Sequence, residues 1–143
     1  MTWNLFIKLA ILFVVMAIAA IYFVYNKPHR DILGEEAKFS LSLTEMNEEF
    51  LADEDAAFKK YFNQVVEISG TVISINKKDN ERYDVVLESN GIIANGELIY
   101  ADDKTDTIIN KKALLKGLFI GYDNLLEEIK LSECSLKQSS TNK

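Results

Sequence analysis

Apolar residues along this chain follow three regimes in turn: an unbroken block, a helical period, and an alternation of two. The block comes first. From Leu9 to Tyr25 the sequence runs LAILFVVMAIAAIYFVY, 17 residues without a charge, and Leu5, Phe6 and Ile7 extend it upstream past Lys8. About 20 apolar residues cross the roughly 30 Å of a bilayer's hydrocarbon, and a lysine near the end of such a run reaches back to the headgroups. Trp3 at one end, with Tyr22 and Tyr25 at the other, suits the interfacial positions of aromatic rings. The block predicts one transmembrane helix over residues 4–25, meeting the bilayer through Leu5 to Tyr25. A cleaved signal peptide would carry an apolar stretch of about 7–15 residues ending in small ones. Ala17, Ala19 and Ala20 imitate that ending, but Ile21, Phe23 and Val24 carry the run beyond it. A buried core helix would show a polar stripe. No cysteine follows the run, so a lipid-modified N-terminus is not expected.

After the block, Asn26-Lys27-Pro28-His29-Arg30-Asp31 is polar and holds the only proline, which places a juxtamembrane linker over residues 26–34. A soluble domain is expected over residues 35–138, with a frayed tail over 139–143. Two short helices open it. Ser42-x-x-Glu45 has the form of a capping box, and Leu43, Met46 and Phe50 are spaced to make one apolar face. Asp53 is placed to cap a second helix carrying Ala57, Phe58, Tyr61 and Phe62. Its acidic residues come early and Lys59 and Lys60 late, as the helix dipole favours.

From Val65 the period becomes two. Val66, Ile68 and Val72 alternate with polar neighbours, then the polar stretch from Asn76 to Glu81 turns the chain. Tyr83, Val85 and Leu87 form a second strand, Ser89-Asn90-Gly91 is a tight-turn signal, and a third strand runs from Ile92 to Tyr100. A polar connection from Ala101 to Asn110 leads to strands over Lys112 to Tyr122 and Leu126 to Leu136, joined at Asp123-Asn124. In the last strand Ile129 and Leu131 have one parity and Cys134 and Leu136 the other, so a bulge is expected near Ser132-Glu133. Gly70, Gly117 and Gly121 fall inside long strands, as at the sharp bends of a small barrel. The pattern predicts an all-β fold with N-terminal helices: a five-stranded OB-fold barrel preceded by two short helices and one transmembrane helix.

Charge narrows the partners. Past residue 34 there are 13 basic and 21 acidic residues, a balance of −8, and Arg82 is the only arginine there. Phosphate backbones are held by clustered Lys and Arg, so nucleic acid is disfavoured. Cys134 is the single cysteine, which rules out an internal disulfide and a cysteine-built zinc site. It reads as a small buried hydrophobe, with an intermolecular disulfide as the alternative for an exported domain.

The Val65–Gly70–Val72 segment, the Lys116-Gly117-Leu118-Phe119-Ile120-Gly121-Tyr122 strand and the closing Ile129-x-Leu131-x-x-Cys134-x-Leu136 resemble the tRNA_anti-like family of OB-fold domains. The resemblance covers roughly Leu43 to Leu136 and includes Ala57 and Tyr61. Members are mostly small bacterial envelope or membrane-anchored proteins of unknown function. The resemblance also implies a Lys-Gly-x-Cys-x-Gly pattern in the fourth strand. Phe119 stands at the cysteine's place here, which leaves Cys134 without a disulfide partner.

Catalytic chemistry finds few candidates. His29 is the only histidine and lies in the linker, so no Ser-His-Asp or Cys-His arrangement can be built. Glu127 and Glu128 are strand neighbours that point to opposite faces. Asp102, Asp103 and Asp106 lack the glycine and terminal glutamate of a calcium loop. No catalytic residue, metal or cofactor is expected. An OB-fold usually binds across its second and third strands, flanked by the first-to-second and fourth-to-fifth strand loops. That surface nominates Tyr83, Tyr100 and Tyr122 as stacking platforms, with Lys77, Lys78 and Arg82 as a local basic cluster and Asp123-Asn124 as the flanking turn. The expected function is a non-enzymatic binding or interaction module of the bacterial cell envelope, with an envelope protein or glycan as partner. Lys8 on one side and Lys27 and Arg30 on the other leave the positive-inside rule undecided. The short N-terminal tail favours a single-pass protein of the inner (cytoplasmic) membrane with its C-terminal domain outside the cytoplasm. The alternative is a cytoplasm-facing OB domain that binds single-stranded RNA or DNA.

Overall fold

The computed structural model describes residues 2–26, 30–78, 81–101 and 105–139. His29, Asp102 and Asp103, the side chain of Asp106, and residues 79–80 and 140–143 lie outside the described residues. The chain divides into two compact units, Met1–Arg30 and Asp31–Lys143. The first is helix α1, Thr2–Tyr25, whose span from Trp3 to Tyr25 is long and apolar enough to cross a membrane, a test that a signal sequence also passes. At 1.5 Å per residue its 24 residues measure about 36 Å.

The second unit is the barrel. Strand β1, Phe39–Ser42, leads into helix α2, Leu43–Ala52, and helix α3, Glu54–Tyr61. Both sequence-predicted caps form. The Ser42 hydroxyl accepts from the Glu45 amide at 3.2 Å while the Ser42 amide donates to the Glu45 carboxylate at 2.7 Å, which holds that carboxyl below its usual range. Asp53 accepts from the Ala56 amide at 3.0 Å. Lys60 of α3 then pairs with Glu49 of α2 at 2.6 Å, an ion pair that links the two helices.

Five long strands follow: β2, Val65–Lys77; β3, Tyr83–Ser89; β4, Ile92–Leu98; β5, Lys112–Asp123; and β6, Glu128–Gln138. Their order is β2-β3-β4-β6-β5, and β2 pairs again with β5 to close the ring. This is the OB-fold connectivity. Strand β2 serves two neighbours: Val65–Thr71 pairs with β5, and Thr71–Lys77 pairs with β3. At the changeover sits Gly70, where an added Cβ would lie 3.3 Å from the Cβ of Leu87, a tighter contact than side chains ordinarily make, so a glycine eases the bend. The β3–β4 turn has φ of 54° at Asn90 and 83° at Gly91, the double left-handed conformation of a two-residue hairpin loop.

Three bulges bend the strands, at Ile73 of β2, Ile120 of β5 and Ser132–Glu133 of β6. The last is the one the parity shift predicts, and Glu133 takes φ of 50° there. It lets Leu131 and Cys134 both face inward. Two elements have no counterpart in the sequence reading. Strand β1 adds a sixth strand, parallel to β2 over Val66–Ser69, and the connection after Ala101 holds a 3-10 turn at Thr105–Ile108.

The core is lined by Val66, Ile68, Val72, Val85, Leu87, Leu115, Phe119 and Ile129, all buried. Helix α2 plugs one end of the barrel with Leu43, Met46 and Phe50. The Phe50 ring stacks on Tyr122 at 4.3 Å and on Phe119 at 5.5 Å. Ile32, 2% exposed, carries the chain ahead of β1 into the same unit, and Lys116 donates to the carbonyls of Leu33 and Glu35 at 2.8 and 2.9 Å.

Cys134 fits where it does because two glycines make room. An added Cβ on Gly117 would lie 2.5 Å from its sulfur, and one on Gly96 2.8 Å from it. Burial pushes the thiol up to about 12. Gly117→Ala is therefore expected to destabilise the fold by about 1–3 kcal/mol, measured by chemical denaturation, with only part regained in Gly117→Ala/Cys134→Ala because the Ser132 carbonyl also lies 3.0 Å from the new methyl. Since the folded thiol holds its proton to higher pH than the unfolded one, its contribution is intact below about pH 9 and is lost as pH rises towards about 12. Native protein at pH 8 should resist alkylation that the unfolded chain undergoes readily.

Candidate functional site

The barrel presents one broad outward sheet face, built from β3, β4 and β6 with the end of β2 at its margin. Period-two alternation turns Val85 and Leu87 inward and leaves Asp84, Val86 and Glu88 outward on β3; on β4 the outward positions are Ile93, Asn95 and Glu97. Side chains of these strands, with Lys78, Glu128 and Lys130, wall a groove of about 460 Å³ over a floor that includes Val86, Leu131 and Ile120.

The polar groups of the groove are tied to one another. Asp84 and Glu97 stand directly opposite on neighbouring strands, a like-charge pairing that by itself destabilises a sheet. Lys78 lies between them, 2.9 Å from the Asp84 carboxylate and 3.8 Å from that of Glu97. The hydrogen bond to Asp84 raises the ammonium's pKa further. Arg82 donates to the other oxygen of Glu97. On the far side Asn95 donates to Glu128, and Lys130 stands 3.9 Å from the same carboxylate. The groove thus brings together Asp84, Glu97 and Glu128 with Lys78, Arg82 and Lys130 paired to them, and among the described residues no aromatic ring lines it.

The sequence-nominated residues separate into three places. Lys77, Arg82, Tyr83 and Tyr100 gather around a shallow recess at the barrel end away from α2, with the Lys77 ammonium 5.9 Å from the Tyr83 ring centre. Tyr83 also packs against the core, whereas Tyr100 is 74% exposed. Lys78 belongs to the groove. Tyr122 lies at the α2 end, stacked under Phe50, its hydroxyl donating to the Asn47 carbonyl oxygen at 2.7 Å. Burial raises its pKa. Asp84, Asn95, Glu97, Glu128 and Lys130 were not nominated from sequence. Their outward parity was visible, but which strands stand side by side was not.

Asn47 is the joint between α2 and the β5–β6 turn. It is 2% exposed, and besides accepting from Tyr122 it donates to Glu127 at 3.1 Å. Glu127 takes φ of 47° to meet it, while Glu128 turns to Asn95, so the two adjacent carboxylates reach separate partners. Asn124 of the same turn donates to Glu54 at 3.0 Å. Asn47→Ala removes both bonds, one from the half-buried Tyr122 hydroxyl and one to the exposed Glu127 carboxylate, and is expected to cost about 1–2 kcal/mol; Tyr122→Phe should cost less, about 1 kcal/mol. A double-mutant cycle by denaturation should show the two effects to be non-additive.

Comparison with known proteins supports the same architecture. A crystal structure of a candidate nucleic acid-binding lipoprotein from Klebsiella pneumoniae subsp. pneumoniae superposes with a TM-score of 0.52 at 10% identity, covering 78% of this chain and 100% of that one. A candidate aspartyl-tRNA synthetase from Leishmania major gives a TM-score of 0.47 at 11% identity, over 82% of this chain and only 24% of the synthetase. At 10% identity the likeness to the lipoprotein is one of fold. No curated protein matches the chain in sequence. The profile of the tRNA_anti-like family matches residues 1–121, most of the chain's length. With the closed five-stranded barrel, that match makes the chain a member of the tRNA_anti-like family of OB-fold domains.

Proposed function

We propose that this chain is a membrane-tethered OB-fold binding module of the bacterial cell envelope, working by binding and not by catalysis through the outward face of β3, β4 and β6. The observation that carries the reading is the groove on that face: it is concave, it occupies the surface on which OB-folds usually take ligands, and its polar residues are paired among themselves rather than arranged around a reacting atom. Asp84 and Glu97 have cations between and beside them, and Glu128 has an amide donor. That arrangement suits recognition by exchange of partners. The tether is α1.

A second reading is single-stranded nucleic-acid binding. It is favoured by the cluster of Lys77, Arg82, Tyr83 and Tyr100, which offers rings for stacking and cations for phosphate, and by the fold shared with the candidate nucleic acid-binding lipoprotein. The balance of −8 past residue 34 opposes it, because polyanions are repelled by a field of the same sign.

Two measurements separate the readings. A C-terminal alkaline phosphatase fusion is expected to be active, with the protein retained in carbonate-washed membranes at its full-length mass. An inactive fusion would return the barrel to the cytoplasm and reopen the nucleic-acid reading, and release at reduced mass would turn the tether into a signal sequence. Binding of an oligothymidylate or single-stranded RNA by the detergent-solubilised chain is expected to stay at background at about 100 mM salt. Saturable binding lost in Tyr100→Ala would establish the second reading instead.

A further inference from the structure

The face of β3, β4 and β6 carries a like-charge pair that a cation offsets. Asp84 and Glu97 face each other across adjacent strands, and cross-strand like charges oppose sheet formation. The chain meets this with Lys78, whose side chain is half-exposed and stands at the groove's margin, just past the end of β2. A second cation, Arg82, reaches Glu97 from the outer side. Both come from one hairpin, closed by the Lys78 amide donating to the Arg82 carbonyl at 2.8 Å. The Lys78 ammonium therefore occupies a cation position that a ligand's own cation could fill with no loss of carboxylate pairing.

Resting on the reading of this face as the binding surface, we propose that it takes an extended polypeptide segment carrying lysine or arginine, whose cationic head enters between Asp84 and Glu97 in exchange for Lys78. Charge complementarity points to this occupant: the groove's own charges are balanced, but the domain carries a balance of −8 past residue 34 that draws cations toward it, and the two opposed carboxylates receive one at contact. The groove also suits a backbone. Asn76 lines it as an amide able to pair with peptide groups, Asn95 offers its side-chain oxygen beside its bond to Glu128, and Val86 and Ile120 supply apolar floor for the intervening side chains. A metal ion is a poorer occupant, because among the described residues no three His, Cys, Asp or Glu side chains gather to ligate one. A nucleic acid is poorer still, since the groove has carboxylates where phosphates would lie and, among the described residues, no ring on which a base would stack.

The test uses the full-length chain, labelled with nitrogen-15, in micelles of an uncharged detergent. Three probes are titrated at about 50 mM salt: a ten-residue peptide alternating lysine and threonine, its glutamate counterpart, and an oligothymidylate. The expected result is saturable shifts from the lysine peptide alone, centred on Asp84, Asn95 and Glu97 and weakening steeply with added salt. Asp84→Asn/Glu97→Gln should bind it about tenfold more weakly, and Lys78→Gln, which removes the internal competitor, about threefold more tightly. Circular dichroism of each variant establishes that the barrel is intact. Weaker binding by Lys78→Gln, or affinity unchanged in the double variant, would overturn the exchange. Shifts of the same face by the oligothymidylate and not the peptide would overturn the polypeptide assignment while leaving the face as the binding surface. No shift there with any probe would overturn both.

Discussion

The barrel depends on one strand being shared between two neighbours. Strand β2 pairs with β5 along its first half and with β3 along its second, and Thr71 belongs to both registers. Without that sharing the five strands would form an open sheet with two unpaired edges, and the inward rows of Val66, Ile68, Val85 and Leu115 would have no opposite wall. Closure demands a sharp bend, and the bend demands a close approach. Gly70 supplies it by leaving Leu87 and the Glu88 carbonyl room to come in. The bulge at Ile73 then turns the second half of the strand toward β3.

The same geometry makes the candidate site. Because β2 bends away at Thr71, its far end brings Lys77 and Lys78 over the mouth of the β3–β4 hairpin, where Asp84 faces Glu97. The bulge at Ile120 swings that side chain outward into the groove while Phe119 goes to the core. Strand β6, parallel to β4, carries Glu128 and Lys130 to the other wall. Each wall thus comes from a different stretch of sequence, and the groove exists only when β3, β4 and β6 stand side by side. At the α2 end the bonds run otherwise: Asn47, Tyr122 and Glu127 tie helix to turn.

Much of this architecture was legible beforehand because it rests on local chemistry. The capping box at Ser42 and Glu45, the cap at Asp53 and the Asn90-Gly91 turn are short-range devices whose residues announce them. The β6 bulge could be read from a parity change alone, since a buried Leu131 and a buried Cys134 cannot share one regular strand. Strand β1 could not: Phe39–Ser42 is too short to show a period, and its parallel partner, Val66–Ser69, lies more than twenty residues away. The site was harder for the same reason. Tyr83, Tyr100 and Tyr122 look alike in sequence, yet contact with Phe50 and Asn47 draws the last into the helix-covered end. Asp84 and Glu97 become a pair only through the β3–β4 register.

Cys134 carries a consequence of another kind. Sealed between Gly96 and Gly117 and held as a thiol, it gives the folded domain no group for an oxidant or a disulfide catalyst to act upon. The native barrel is in that sense indifferent to the redox climate of its compartment: it needs no cross-link to mature and forms none by accident. Only an unfolded copy displays the sulfur, so a covalent dimer would be the chemical signature of a molecule that had failed to close its ring.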